Sequence, residues 1–354
     1  MPKILILKPS SLGDVVQALP VLRLLKRHLP ASKIYWWIDS HLAPLLEGDP
    51  DLAGVVLFER RRWASPVHWD EMWRSIRWLR QQDFDWVIDL QCLLRSGVFS
   101  WLANGGLCIG LDEAREGARG FYDHVVQRPS PLTHAVDWYL RVLPVLGVPV
   151  NRDFQWLPPR PEVAESVRRQ WPVGRARWIA LQPGARWSNK RWPAECYAEL
   201  VRLLAPAQPE FHFAVLGGAE DRPLGEAIAR VDPARCLDLT GRLSLPEMVE
   251  WIRLSTLMVS NDTGPMHIAA ALGIPVVALF GPTEPRRTGP YGQLEHVLQL
   301  NLPCVPCFKA RCAYVKPFEC LRAMPPAAVF KAVQERLTGV ARQPFTACHS
   351  VGCS

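Results

Sequence analysis

Residues 261–281 read NDTGPMHIAAALGIPVVALFG. A polar turn with a glycine and a proline follows one apolar run, Leu257–Ser260, and a second apolar run, Pro275–Phe280, ends the stretch. The residues between them have helical spacing, so the order predicts strand, helix and strand, the unit of a parallel sheet. The helix is expected over Pro265–Leu272, with Asp262 or Thr263 capping its first turn.

The start of this predicted helix is suited to an anion. Unpaired N–H groups and the positive dipole end of a helix attract negative charge. Gly264 lets a phosphate approach the backbone, and His267, about one turn further on, can donate a hydrogen bond to it. Gly281 opens a second loop at the same sheet edge. The stretch therefore predicts a diphosphate site, and a capped helix with a structural histidine is the alternative.

The same alternation of apolar runs and amphipathic segments extends outward over the chain. The other expected strands are Ile4–Leu7, Ile34–Ile38, Val55–Phe58, Trp86–Leu90, Cys108–Gly110, Trp178–Gln182, Phe211–Leu216 and Cys236–Leu239. The other expected helices are Asp14–His28, Trp69–Gln82, Pro193–Leu204, Asp221–Arg230 and Leu245–Leu254. This pattern predicts an α/β fold with two doubly wound, Rossmann-like domains. In the helix at 69–82, a core-facing stripe is expected from Trp69, Met72, Trp73, Ile76 and Leu79.

A proline-rich segment, residues 151–161, interrupts this rhythm and is expected to be the linker. The predicted domains are residues 1–155 and 161–324, followed by a helix at 325–340 and a tail at 341–354. Ligands are expected where the carboxyl ends of the strands meet the cleft between the domains.

Composition narrows the class of protein. The 354 residues are 49% hydrophobic and 21% charged, as in a globular protein. No apolar run reaches the ~20 residues of a membrane span, and the N-terminus turns polar too soon for a signal peptide, so a cytoplasmic protein is expected. The net charge of +7 suits a phosphorylated substrate, an acidic membrane surface or nucleic acid, although it can also serve solubility alone.

Four of the ten cysteines are clustered in the order C-x2-C-x4-C-x7-C, at Cys304, Cys307, Cys312 and Cys320. Four thiolates can close a tetrahedral zinc or iron site, whose role would be structural because no ligand position stays open. Reduced, partly buried thiols are the alternative. Cys348 and Cys353 belong to the tail.

Several motifs carry a resemblance to a known family. SNDTGPMHIAAALGIPVVALFGPTEP (260–285) closely resembles the donor-binding signature of the ADP-heptose:lipopolysaccharide heptosyltransferases, glycosyltransferase family 9. The motifs ILKPSSLGDVVQALPVL, LQPGARWSNKRWP, LGGAEDR and LTGRLSL match that family in order and spacing, over most of the chain up to about residue 341. AREGARGFYDHVV and HAVDWYL are more similar to the first heptosyltransferase than to the second.

The resemblance implies two facing domains in the GT-B arrangement and an inverting transfer that needs no catalytic metal. The donor would be ADP-L-glycero-D-manno-heptose and the acceptor Kdo-lipid A, reached by a cytoplasmic enzyme peripheral to the inner membrane. No nucleic acid partner is expected. The helix at 325–340 would cross back to the first domain.

The resemblance also implies roles for individual residues. From its position alone, Asp14 is either a helix cap or a general base, and the family favours the base. Lys190 would neutralise the leaving diphosphate, although a solvated basic turn is the alternative. Glu220 would accept from ribose or adenine and Leu243 would lie beside the base, although either can be a capping or core residue. The expected donor-binding residues are Pro183, Gly184, Lys190, Glu220, Leu243, Asp262, Thr263, Gly264, His267 and Gly281. The expected acceptor-binding residues are Ser10, Ser11, Gly13, Arg61, Arg62 and Arg115.

Three alternatives remain at this point. One is the same scaffold with another donor or acceptor, such as the second inner-core heptose or a protein. Another is a nicotinamide-dependent enzyme, but neither a G-x-G-x-x-G loop after the first strand nor a Tyr-x-x-x-Lys pair is present. The third is a non-catalytic protein that binds anionic lipid or RNA and has no need of Asp14.

Overall fold

The structure, a computed structural model, describes residues 1–112, 115–173 and 176–341, without the side chains of residues 115, 340 and 341. The strands are β1 Lys3–Leu7, β2 Lys33–Asp39, β3 Gly54–Phe58, β4 Trp86–Asp89, β5 Leu107–Leu111, β6 His124–Val126, β7 Arg177–Gln182, β8 Phe211–Val215, β9 Cys236–Asp238, β10 Leu257–Asn261, β11 Val276–Phe280 and β12 Val297–Gln299. The helices are α1 Leu12–His28, α2 Trp69–Gln81, α3 Leu94–Ala103, α4 Ala135–Leu140, α5 Val142–Val145, α6 Pro161–Gln170, α7 Ala194–Ala207, α8 Arg222–Ala229, α9 Leu245–Leu254, α10 Gly264–Ala271, α11 Pro285–Thr288, α12 Glu319–Arg322 and α13 Pro326–Ala341.

The strands form two six-stranded sheets with the same internal order. The first sheet is β3-β2-β1-β4-β5-β6, and the second is β12-β11-β10-β7-β8-β9. All pairs are parallel, with Ile4 opposite both Ile34 and Trp86 in the first sheet. The order reverses beside β1 and beside β7, so each sheet opens a crevice at the carboxyl ends of its central strands. The predicted α/β fold with two doubly wound sheets is confirmed, and the domains carrying them are called here the first and second domain.

The cores follow from strands that are apolar on both faces. Residues Ile4–Leu7 of β1 and Val276–Phe280 of β11 are fully buried, as expected for parallel strands covered by helices on both sides. One apolar cluster runs from the first domain into the second, because α1 packs against α10. This contact brings the N-termini of the two helices together.

The segment between the two sheets is held to both domains. Arg23 of α1 donates to the carbonyl oxygen of Trp156 at 3.1 Å. The guanidinium of Arg160 donates to the carbonyls of Pro44, Leu45 and Glu47 at 2.7, 2.7 and 2.9 Å. From the second domain, Arg253 of α9 donates to the carbonyls of residues 157 and 158. The proline-rich segment is therefore held against both domains by hydrogen bonds, most of them half-buried, rather than extended in solvent.

The C-terminal helix corrects one prediction. The helix expected to cross back to the first domain is α13, and it packs on α7 and β11 of the second domain. Val329, Val333 and Leu337 are part of the apolar cluster on that side of the second sheet. The expectation rested on the resemblance to two-domain transferases, whereas the apolar face of α13 in this chain completes the core of the second domain.

Helix α2 corrects another prediction. Its inner face carries Ile76 and Leu79, which are buried, with Met72 half-buried beside them. Trp69 and Trp73, expected in the same stripe, are 49% and 55% exposed. Their helical spacing places them at the border of the apolar face rather than at its centre. In the described part of the chain, no helix has the length and apolar character required to cross a bilayer.

Candidate functional site

Two glycines allow α1 and α10 to meet end to end. A Cβ atom on Gly13 would lie 2.4 Å from Cδ2 of His267, and one on Gly264 would lie 2.7 Å from Cδ2 of Leu12. Both distances are shorter than any real contact of a Cβ atom, so larger residues would push the helices apart. The two positive dipole ends therefore face one cleft from opposite domains.

Asp14 lies in the first turn of α1, on the first-domain side of this cleft. Ser11, not Asp14, is the N-cap residue, and its N–H and hydroxyl donate to Oδ2 of Asp14 at 3.0 and 2.6 Å. Burial alone would raise the pKa of Asp14, but the charge of Lys8 and the two bonds from Ser11 outweigh it and hold that pKa below 3.8. The carboxylate is therefore ionised at neutral pH, as a proton acceptor must be.

Lys8 was missed by sequence reasoning. It follows β1 directly, is 4% exposed, and donates from Nζ to the carbonyl of Leu90 at 2.8 Å. Its Nζ also lies 4.9 Å from the centre of the Tyr139 ring. Its only signal in the sequence was its place directly after the apolar run of β1, and that place does not show whether the side chain is buried.

His267 lies on α10 and faces the same cleft from the second domain. It is 8% exposed, and burial lowers its pKa to about 4, so the ring is neutral at pH 7. The amide of Gln17, on α1, lies 3.3 Å from Nδ1 of the ring. When that amide donates, Nδ1 is the acceptor and the ring proton is on Nε2, which becomes a donor toward the cleft. Gln17 is a second contributor that sequence reasoning missed.

Lys190 is paired with an acidic neighbour. Its Nζ lies 2.5 Å from Oδ2 of Asp262, and the hydroxyl of Thr283 donates to the same oxygen at 2.5 Å. Asp262 is 7% exposed, whereas the side chain of Lys190 is 18% exposed and lies over the ring of Trp187 at 4.9 Å. The ion pair holds the ammonium group at the carboxyl edge of β10, next to the start of α10.

A cavity of about 550 Å³ opens beside these groups. Of the expected donor-binding residues, it is lined by Gly184, Glu220, Leu243 and Thr263. Pro183, Asp262 and Gly264 directly flank lining residues, and the carbonyl of Pro183 is held by Asn261 at 2.7 Å. Leu12 from α1 closes the cavity on the side of the first domain. The size is in the range of pockets that hold nucleotides and similar ligands.

Other lining residues were not predicted as donor-binding. Arg186 and Arg191 follow β7, and Asp221 precedes α8. Asp221 is 5% exposed, and burial raises its pKa even though it accepts from the N–H of Gly218 at 3.1 Å. The hydroxyl of Ser244 caps α9 by accepting from the N–H of Glu247 at 3.4 Å, and it donates to the carboxylate of Glu247 at 2.7 Å. The S-x-x-E spacing was its signal in the sequence.

Gly281 is not part of this cavity. A Cβ atom there would lie 3.0 Å from Sγ of Cys320 and 3.4 Å from the carbonyl oxygen of Asn189. Its own carbonyl accepts from Gln299 at 3.0 Å. The structure thus places this expected donor-binding residue beneath the C-terminal cysteine segment.

The expected acceptor-binding residues are at the carboxyl edge of the first sheet. Ser11 is exposed and bonds to Asp14, Ser10 is half-buried beside it, and Gly13 is buried against His267. The exposed Arg61 follows β3, whereas Arg62 is ion-paired with Glu71. The side chain of Arg115 lies outside the described residues.

The four clustered cysteines do not form a ligand set. Burial first, and then the thiols of Cys304, Cys312 and Cys307, raise the pKa of Cys320 to about 11, so the four lie in one region. Nevertheless, over residues 1–112, 115–173 and 176–341, no group of three or more histidine, cysteine or acidic side chains has an arrangement that could hold a metal ion. The predicted zinc or iron site is therefore not confirmed. Cys348 and Cys353 lie outside the described residues.

Comparisons with known proteins point to one family. A family model described as glycosyltransferase family 9 (heptosyltransferase) matches residues 72–317. Lipopolysaccharide heptosyltransferase 1 of Pseudomonas aeruginosa is 31% identical over 330 residues, which is 88% of each chain. Lipooligosaccharide heptosyltransferase 2 of Haemophilus influenzae is 29% identical over 84% of this chain and 88% of its own.

Solved structures show the same architecture. A glycosyl transferase family 9 protein of Veillonella parvula superimposes with a TM-score of 0.81, at 23% identity, over 96% of this chain and 98% of the other. An Escherichia coli heptosyltransferase with ADP-2-deoxy-2-fluoro heptose superimposes with a TM-score of 0.74, at 25% identity, over 94% and 99%. The two sheets thus have the GT-B arrangement.

Proposed function

The chain belongs to glycosyltransferase family 9, and we propose that it transfers a heptose from ADP-L-glycero-D-manno-heptose to the inner core of lipopolysaccharide, with inversion at the anomeric carbon. One observation carries the proposal. The ionised Asp14 and the neutral His267 lie on facing helix N-termini, beside a cavity of about 550 Å³. A proton acceptor and an anion site are thereby on opposite sides of one cleft.

The cavity would take the adenosine part of the donor. Leu243 offers an apolar contact to the base, and Glu220 offers a carboxylate to the ribose hydroxyls or the adenine amino group. The sugar and its diphosphate would then reach from Gly184 and Thr263 toward the N-terminus of α10. There the unpaired backbone N–H groups favour the negative charge.

Negative charge grows on the diphosphate as its bond to the sugar breaks. Lys190 would meet this charge, because its side chain is 18% exposed and Asp262 holds its ammonium group at the carboxyl edge of β10. The Nε2–H of His267 is a second, neutral donor. Charge stabilisation of this kind dominates group transfer from phosphorylated donors, so these two residues have the main electrostatic role.

The acceptor hydroxyl would lose its proton to Asp14. Ser11 occupies Oδ2 of the carboxylate, which leaves Oδ1 to face the cleft. The oxygen of the acceptor then forms a bond to the anomeric carbon while the bond from that carbon to the diphosphate breaks. ADP leaves with the electron pair, the proton stays on Asp14, and a single displacement inverts the configuration.

The proposed acceptor is Kdo-lipid A, the substrate of the first inner-core transfer. Support comes from the relative of 31% identity, which is named heptosyltransferase 1. A relative of 29% identity is named heptosyltransferase 2, so the second inner-core heptose is the alternative acceptor, and a protein acceptor is another. Both arginines proposed to meet the acceptor, Arg61 and Arg62, are at the edge that Asp14 faces.

We also propose that the reaction uses no metal and takes place at the cytoplasmic face of the inner membrane. The charge on the leaving group is assigned to Lys190, His267 and the helix N-termini, and no step needs a metal ion. The lipid end of the acceptor requires that the enzyme work at a membrane surface. The net charge of +7 favours an anionic one.

The test replaces Asp14 by Asn and measures transfer from ADP-heptose to Kdo-lipid A by mass spectrometry, in buffer with EDTA. Loss of a general base is expected to lower kcat about 10²–10⁴-fold, while calorimetric binding of ADP stays unchanged. Asp85→Asn is the matched control, because Asp85 accepts from the N–H of Lys3 at the opposite edge of the same sheet. Normal turnover by Asp14→Asn would contradict the base role, and no transfer by the wild type would contradict the proposed reaction.

A further inference from the structure

Two tryptophans on α2 are about half exposed. Trp69 and Trp73 are 49% and 55% exposed, and Val67, just before the helix, is 80% exposed. On the opposite side of the helix, Trp78 packs edge-on against Tyr35 with ring centroids 5.7 Å apart. Within the described residues, Trp69 and Trp73 make no such ring contact. Large apolar side chains left in water beside each other indicate an interaction surface.

Two arginines continue the same line of residues. Trp69, Trp73, Arg77 and Arg80 follow one another at spacings of four, four and three residues, which places them on one side of an α-helix. We call this set the α2 flank. Arg77 and Arg80 are exposed. The flank is thus aromatic in the first half of the helix and positively charged in the second.

No ion pair within the described residues neutralises the charge of the α2 flank. Arg74 and Arg62 are ion-paired with Asp70 and Glu71, respectively. In contrast, no carboxylate in the described part of the chain pairs with Arg77 or Arg80. Positive charge and tryptophan side by side are the combination found at the water interface of membranes, where the indole lies among the headgroups and the cation meets anionic lipid.

The α2 flank begins at the same edge of the first sheet as Asp14. Helix α2 follows β3, so its first turn lies at the carboxyl edge of the first sheet. Asp14 follows β1 and lies at the same edge. A membrane against the N-terminal half of α2 would therefore present a lipid-anchored acceptor to the edge that Asp14 faces.

The geometry points to the α2 flank as the surface that docks this protein on an anionic lipid bilayer, an inference that rests on the proposed function. The indoles of Trp69 and Trp73 enter the headgroup layer, and the guanidinium groups of Arg77 and Arg80 bind anionic headgroups. Charge complementarity selects the bilayer as the occupant, because two adjacent arginines with no carboxylate partner among the described residues attract anionic headgroups.

The experiment is sedimentation of the full chain with vesicles of phosphatidylglycerol and phosphatidylethanolamine in equal amounts, beside vesicles of phosphatidylcholine. The wild type is expected to bind the anionic vesicles, and more weakly as salt is raised. The double variant Arg77→Gln/Arg80→Gln should lose about fivefold in affinity for each arginine. The double variant Trp69→Ser/Trp73→Ser should lose about tenfold or more on the same vesicles.

Two matched controls distinguish binding through the α2 flank from nonspecific adsorption of the protein to vesicles. Trp101 is 61% exposed near the C-terminal end of α3, toward the opposite edge of the sheet, so Trp101→Ser should bind vesicles as the wild type does. Arg168 is an exposed arginine on α6 of the second domain, and Arg168→Gln should also bind normally. Circular dichroism of each variant should match the wild type, because every substituted side chain is exposed.

Three results would overturn the inference. They are a wild type that does not bind anionic vesicles, flank variants that bind as well as the wild type, and a dimer in sedimentation velocity that Trp69→Ser/Trp73→Ser abolishes without any binding of vesicles. Vesicle binding involves no transfer reaction. A failure of the docking surface can therefore be told apart from a failure of the proposed heptosyl transfer.

Discussion

At the scale of single residues, Asp14 depends on a buried neighbour. Lys8 has its charge fixed between the carbonyl of Leu90 and the ring of Tyr139. Burial alone would raise the pKa of Asp14, and it is mainly the positive charge of Lys8 that lowers this pKa instead. A lysine in a KPSS turn does not show from the sequence that it is buried, because the same letters suit a solvated loop. The sequence correctly placed Asp14 at the start of the helix. It did not show which neighbouring group keeps the carboxyl ionised.

Replacing Lys8 by Met should therefore change the pH profile. Without the positive charge, burial becomes the dominant influence and the pKa of Asp14 rises. Because the base must be ionised, the acid limb of kcat/KM should move to higher pH, with the smallest loss of activity at the alkaline end. The measurement is kcat/KM between about pH 5 and 9. A uniform loss at every pH would mean that Lys8 supports only the fold.

At the scale of elements, the meeting of α1 and α10 makes the site. The two helices were predicted to begin at Asp14 and Pro265, and they begin at Leu12 and Gly264. The apolar runs predicted ten of the twelve strands in the described residues to within two residues at each end. The two strands that were missed, β6 and β12, have three residues each, and they are partly exposed at sheet edges. Strand β9, also of three residues, was predicted, so short strands at sheet edges are only partly visible in the sequence. Periodicity within one helix could not show that the two N-termini would touch.

Gly13→Ala tests that contact. An alanine inside a helix normally adds up to ~1 kcal/mol of stability over glycine. Here its Cβ would lie 2.4 Å from Cδ2 of His267, so overpacking should instead lower the free energy of unfolding by about 1–3 kcal/mol and reduce kcat. Gly339→Ala on α13 is the control, because nothing lies within 4 Å of its added methyl group. The measurement is urea unfolding of both variants. If Gly13→Ala had the same free energy of unfolding as Gly339→Ala, α1 and α10 could move apart without destabilising the protein.

At the scale of the whole molecule, the interface between the domains contains buried neutral histidines. His134 is 6% exposed, and its Nε2 lies 3.0 Å from the carbonyl of Gly289 across the interface. Burial lowers the pKa of His134 below 6.5 and that of His267 to about 4. An unfolded chain binds protons on these rings at higher pH than the folded one does. Folding stability should therefore be fully present above pH ~6.5 and decline as the pH falls toward 4.

For His267 alone, the loss between pH 7 and pH 5 should be about 2 kcal/mol of unfolding free energy. The carboxylate of Asp14 adds nothing in this window, because its pKa is held below 3.8. Urea titrations of the wild type and of His267→Gln at both pH values give the comparison. Between pH 7 and pH 5, His267→Gln should lose about 2 kcal/mol less unfolding free energy than the wild type loses. Parallel curves for the two proteins would mean that the ring is already accessible to protons in the folded state.

Because α13 packs on the second domain, it does not connect the two domains. The described chain passes between the two sheets once, through residues 151–160. A second passage would have confined relative motion to rotation about a fixed axis. With a single tether, the distance between Asp14 and Lys190 is set by noncovalent contacts alone, chiefly the α1–α10 contact and the arginine bonds to the linker. The alignment of Asp14 with Lys190 thus depends on an equilibrium between arrangements of the two domains. Any ligand or surface that binds one arrangement better than another will shift that equilibrium.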